Sequence, residues 1–159
     1  MTKKLTASEL NKLNNKFNEK KAISILNGQF EVTIFQQFKD TSINNIFTGL
    51  IEVVKGIDDK QLTELMFSQI AEQIGLTLML REFTDLPIPN KNDFQTLIKV
   101  YENLLNANIF VEVMNELPES QIRKVEKRFE EIQEMYKEIE RKANEQLNNI
   151  QVEQNDDSE

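Results

Sequence analysis

The chain has 159 residues, 39% hydrophobic and 29% charged, with a net charge of −8 and neither cysteine nor histidine. That length suits one domain with a real core. The missing residues exclude disulfides, thiol chemistry, ordinary zinc sites and every nucleophile system that needs an imidazole.

In chain order, Thr6-Ala-Ser-Glu9 reads as a capping box opening a short helix, with Leu5, Leu10, Leu13 and Phe17 on one side. Met1 to Lys21 carries six lysines against Glu9 and Glu19. Ala22 to Leu26, Asn27-Gly28, then Gln29 to Phe35 is the clearest hairpin signal, because Asn-Gly supplies both positive-φ positions of a type I′ turn. Phe30, Val32 and Ile34 alternate with Glu31 and Thr33, so one face of the second strand is buried. Two strands alone are marginal; helices or another copy must cover them. Asp40 or Thr41 caps a helix whose apolar stripe is Ile43, Ile46, Phe47, Leu50, Ile51 and Val54, ended by Gly56. Asp58-Asp59 opens the next helix, with Leu62, Leu65, Met66, Ile70 and Ile74 inward and Leu76 to Leu80 the most deeply buried segment. Thr84 to Asn90 is a proline-stiffened loop. Asn92 or Asp93 caps a helix bearing Phe94, Leu97, Ile98, Tyr101, Leu104 and Leu105. After a break at Asn106 to Asn108, Ile109 to Leu117 is a short helix ended by Pro118.

The last helix carries an apolar seam of period 3.5: Ile122, Val125, Phe129, Ile132, Tyr136, Ile139, Ala143 and Ile150. From Glu119 to Ile150 it would be about 48 Å long, more than a domain this size needs to close its own core. Phe129 and Tyr136 fall where two-stranded coils favour Ile or Val, and the parallel g-to-e′ pairs hold no complementary charges. Met135 and Leu147 instead widen the stripe, as on a helix packing against a globular body. Beyond Ala143 the seam suits a partner surface or a frayed end. Gln151 to Glu159 is expected to be disordered.

The predicted fold is mainly α with a small N-terminal β-hairpin (α+β), a helical bundle with a long C-terminal helix. Its organisation is a basic arm with a short helix over 1–21, a hairpin plus helical domain over 22–142, and a projecting helix end with a disordered acidic tail over 143–159. The polar, basic N-terminus carries no hydrophobic signal segment, and the longest uncharged apolar run, Ile74 to Leu80, is far too short for a bilayer. A cytoplasmic protein is expected.

Few residues suggest chemistry. The glycines at 28, 49, 56 and 75 are isolated, so no phosphate-binding loop can be built. Gly56-Ile-Asp-Asp-Lys60 reads as a helix boundary, and Asn90-Lys-Asn-Asp93, lacking the glycine and glutamate of a calcium loop, as a turn plus cap. Glu82 and Asp85 are two acids near a loop with no second motif beside them. No catalytic, cofactor or metal site is expected. The candidate partner-binding residues are Phe30, Val32 and Ile34 on the hairpin and Ala143, Leu147 and Ile150 on the last helix. Lys3, Lys4, Lys12, Lys16, Lys20 and Lys21 support an alternative, a cytoplasmic helical adaptor or regulator with a nucleic-acid-binding arm. The overall negative charge argues against nucleic-acid binding by the whole surface.

The order of elements resembles a family. Ala22-Ile-Ser-Ile-Leu-Asn-Gly-Gln-Phe-Glu-Val-Thr-Ile34 is followed by Phe38-Lys-Asp-Thr-Ser-Ile43, Arg81-Glu-Phe-Thr-Asp-Leu-Pro-Ile-Pro89, the Asn108-Ile-Phe110 region and Leu117-Pro-Glu-Ser-Gln-Ile122. Over Ala22 to Glu140 this is similar to the small tail assembly chaperones of long-tailed phages and prophages of low-GC Gram-positive bacteria. The resemblance implies a non-enzymatic, oligomerising protein of the host cytoplasm. Such a protein keeps the long tape-measure protein soluble until tail-tube subunits polymerise around it. The implied partners are further copies of itself, the tape-measure protein and the tail-tube protein. No binding residue is carried over, because no motif matches position by position.

Overall fold

The computed structural model describes residues 1–57 and 64–156. Its elements are α1 (Ala7–Asn14), β1 (Lys20–Ile25), β2 (Phe30–Phe35), α2 (Asp40–Lys55), α3 (Glu64–Phe83), α4 (Phe94–Asn106), α5 (Ile109–Glu116) and α6 (Glu119–Asp156). A 3₁₀ turn, Asn15–Asn18, joins α1 to β1. The chain divides into two compact units, Met1–Gln121 and Ile122–Glu159. The expected class, mostly helical with one antiparallel N-terminal hairpin and a long last helix, is the one observed.

The hairpin pairs Lys20 with Phe35 through Ile25 with Phe30. Ile23, Ile25, Val32 and Ile34 share its buried face. The turn differs from the expected two-residue loop. The last pair is Ile25 with Phe30, so Leu26 and Gln29 leave the strands and the loop has four residues. Asn27 and Gly28 do take positive φ, at 56° and 83°, and Gln29 N donates to Leu26 O at 3.2 Å. Leu26 joins them at φ 51°, a conformation that costs a residue with a Cβ about 1–2 kcal/mol.

The first unit's core is built where apolar stripes meet. Ile43, Ile46, Phe47, Leu50 and Val53 of α2 are buried, as are Ile74, Leu78, Met79 and Leu80 of α3. Gly49 lets those helices close up: a Cβ there would lie 3.2 Å from Leu78 Cδ1. Phe38 and Phe83 stack with centroids 3.6 Å apart and planes within 2°. Leu97 of α4 and Val113 of α5 complete the interior at 0% exposure each. At about 1.5–3 kcal/mol for each large apolar side chain removed from water, this cluster dominates the unit's stability. Two buried threonines are satisfied locally, Thr77 Oγ1 donating to Gln73 O and Thr84 Oγ1 to Leu80 O. Polar side chains tie the loop after α3 to the helices. Arg81 donates to Pro89 O and to Asn92 Oδ1 (3.3 and 2.9 Å), and Asn92 Nδ2 donates to Glu52 Oε2.

Helix boundaries follow the expected caps with three differences. The N-cap of α2 is Lys39, without a side-chain bond, so Asp40 lies in the first turn rather than at the cap. Gly56 ends α2 at φ −81°, in the ordinary right-handed region. α6 continues as helix to Asp156, past the expected end at Ile150, because Gln151 to Asp156 holds neither proline nor glycine. The Asp58-Asp59 helix start and Leu62 lie outside the described residues, as do the side chains of Leu65 and Met66. β1 begins at Lys20, so the last two residues of the expected arm, 1–21, belong to the hairpin.

Candidate functional site

The second strand's first apolar position and its last two have opposite fates. Val32 and Ile34 are 4% and 0% exposed, so they are core residues and unavailable to a partner. Phe30, at the open end of the same face, is 59% exposed. The alternation correctly grouped all three, but only tertiary packing decides where the cover stops. That cover comes from within the chain. Thr33 N donates to Asp85 Oδ1 at 2.7 Å, and Asp85 N donates to Thr33 O at 3.1 Å. Ile34 bridges to Thr84 beside them. Asp85 is therefore a strand-edge plug, while Glu82 accepts from Asn45 Nδ2 at 3.4 Å.

A second clamp holds the hairpin tip. Glu112 of α5 accepts from Leu26 N through Oε2 (2.8 Å) and from Asn108 Nδ2 through Oε1 (3.3 Å). Leu26 and Asn108 are both left-handed, so one carboxylate joins the strained hairpin tip to the strained α4–α5 corner. Lys21 pairs with Glu116 at 3.1 Å one turn further along. Sequence reading missed Glu112, because the pairing spans 86 residues and no local pattern announces it.

The long helix carries the other three candidate positions. Ala143 is exposed, and Leu147 and Ile150 are 58% and 52% exposed. Met135 and Ile139 extend the same exposed apolar stripe. Its charged face is laced with local pairs: Arg128 with Glu131, Lys137 with Glu134, and Glu138 with both Arg141 and Lys142. The Arg141 hydrogen bond holds the Glu138 carboxyl below the usual glutamate range. Such exposed, solvent-screened pairs add little to the stability of a helix.

A further apolar surface lies on α1. Its capping box forms as expected, with Glu9 N donating to Thr6 Oγ1 and Thr6 N to Glu9 Oε2. Yet α1 buries nothing: Leu5, Leu10 and Leu13 are all exposed. Leu5 and Leu13 line an open groove with Lys3, Glu9 and Lys12. Of the basic residues here, Lys16 and Lys20 lie over the rings of Phe17 and Phe35.

The remaining candidate motifs have structural roles. Asp93 caps α4, accepting from Thr96 N and Thr96 Oγ1 at 3.0 and 2.6 Å, and the hydroxyl bond first of all lowers its pKa. Gly56 is a helix end, and Asp58 and Asp59 lie outside the described residues. Among the described residues no group of three or more acidic side chains could hold a metal ion. Nor, among them, is any helix long and apolar enough to cross a membrane.

No solved structure matches the chain. A relative in Bacillus subtilis (strain 168), the "SPbeta prophage-derived uncharacterized protein YomO", is 24% identical over 153 residues, spanning 96% of this chain and 89% of that protein. The family model described as YomO matches residues 7–159, so the chain belongs to the YomO family.

Proposed function

We propose that the chain is a non-enzymatic phage tail assembly chaperone that binds and solubilises the tape-measure protein in the host cytoplasm and associates with further copies of itself. The observation that carries this reading is the pair of exposed apolar helix faces. Leu10 and Leu13 lie on α1 with Leu5 just before its cap, and Met135, Ile139, Leu147 and Ile150 lie on α6, each beside dense charge. Helices that leave such stripes in water fit an apolar, helical client laid along them. The prophage origin of the Bacillus subtilis relative supports a phage setting, and the order of elements supports the chaperone class within it. The rival, a nucleic-acid-binding regulator, rests on the lysines before β1. The exposed ridge among them is aliphatic rather than aromatic, which favours a protein client over stacked bases.

Co-expression with the tape-measure protein of the same phage or prophage tests the proposal. The client should move into the soluble fraction and co-purify with the chain. A double variant, Leu147→Glu with Ile150→Glu, should lose the complex without a change in thermal stability. Unchanged client solubility with no complex would sink the reading. Salt-sensitive binding to nucleic acid instead would establish the rival.

A further inference from the structure

One edge of the hairpin is plugged at its middle, and the other is held only at its tip, where Glu112 of α5 takes the Leu26 N–H. Thr33 points both its N–H and its C=O away from β1, toward Asp85. Residues opposite one another in an antiparallel pair turn their polar groups the same way. Ala22, opposite Thr33, therefore points its N–H and C=O out of the sheet, and so do Lys20 and Ser24, two residues to either side. The same parity holds at Leu26, whose outward N–H is taken by Glu112. Among the described residues, nothing accepts from or donates to the outward groups of Ala22 and Ser24. An unpaired edge of this kind is a template for another strand.

We propose that β1 pairs antiparallel with β1 of a second copy, forming a four-stranded sheet in the order β2–β1–β1–β2. This deepens the self-association proposed above by naming its surface. An axis at Ile23 would need the Leu26 N–H that Glu112 already holds. The two-fold axis falls at Ala22 instead: that register sets outward-pointing residues against one another, Ala22 on Ala22 and Lys20 on Ser24 of the second copy. Three such pairs, each exchanging two N–H···O=C bonds, close six hydrogen bonds.

Charge and size favour the second copy as occupant. On the outer face the meeting residues at the centre are alanines, and Ser24 beside them is small and exposed. Each Lys20 falls opposite a serine, and the two Lys20 side chains end up at opposite ends of the pairing. Beyond Ser24 in the same row is its own partner, Glu31. Lys20 thus lies two strand spacings from Glu31 of the second copy, about 10 Å between Cα atoms, which these two long side chains can span across a serine. The assembly also ends at two copies. The far edge, β2, is occupied at Thr33 and Ile34 by the Thr84–Asp85 segment, so no fifth strand can add. A lone hairpin is marginal in water, whereas four strands on a buried apolar face are not.

Native mass spectrometry and light scattering of the full chain test this, with three variants. The wild type should be a dimer. Ala22→Pro removes the central N–H at an edge position where proline is tolerated, and should give a folded monomer by circular dichroism. Should that variant fail to fold, Ala22→Lys, which opposes two like charges, should dissociate the dimer more at low salt than at high. The chain has no cysteine, so Ala22→Cys offers a single thiol, and a short bismaleimide should cross-link two copies through it. A monomeric wild type overturns both the edge pairing and the self-association. A dimer that survives Ala22→Pro or Ala22→Lys and shows no cross-link at residue 22 overturns the edge alone.

Discussion

Replacing Ile34 and Phe30 separately by alanine separates core from surface on a single strand face. Ile34 is fully buried, so Ile34→Ala removes buried carbon atoms and leaves a cavity that neighbours can only partly fill. Burial at this level places the loss at about 3 kcal/mol, within the range for buried Ile→Ala changes. That is a large share of the roughly 5–15 kcal/mol that holds a domain together. At about 3 °C per kcal/mol for a chain of this size, the melting temperature should fall by about 9 °C. Phe30 is 59% exposed, and Phe30→Ala should stay within about 0.5 kcal/mol of wild type. Thermal and urea unfolding followed by circular dichroism, at one protein concentration, measure both. Equal losses for the two variants would show that the hairpin's cover extends to its tip. A loss below about 1 kcal/mol for Ile34→Ala would show that this face is not core.

Glu112→Ala takes the acceptor from Leu26 N–H and should cost about 1–2 kcal/mol, with Glu112→Gln milder. Hydrogen exchange at the Leu26 amide should speed up in the alanine variant, and unchanged exchange would refute the clamp. Asp93→Ala removes the α4 cap and should lower the melting temperature. Because the folded-state pKa of Asp93 is lowered, its contribution is present above the ordinary aspartate value and lost as pH falls through the lower folded one. The stability difference between wild type and Asp93→Ala should therefore shrink in acid, and a constant difference would contradict it. Glu138 follows the same sign, so the helicity of α6 should decline below the usual glutamate range, and Glu138→Gln should remove part of that decline.

Much of the local structure was legible in the residues themselves. The Thr6–Glu9 box, the Asp93 cap, the Asn27-Gly28 turn positions and the break before Ile109 are short-range devices, each complete within a few residues. The nearly all-apolar run likewise marked Leu76 to Leu80 as the deepest segment; Thr77 to Leu80 are buried there, and Leu76 is half-buried. Periodicity states that a face is apolar, but not which part of it finds cover. Thus Val32 and Ile34 became core while Phe30 did not, and Leu5, Leu10 and Leu13 stayed in water despite a well-formed helix. Tertiary structure alone decided the long-range polar contacts. Asp85 plugs β2, Glu112 holds Leu26, and Gln121 Oε1 accepts from Phe38 N at 2.8 Å, across 52, 86 and 83 residues. Each satisfies a backbone group whose need arises only once a strand edge, a strained turn or a helix entry exists. No residue pattern near either partner can announce that need, because folding creates it.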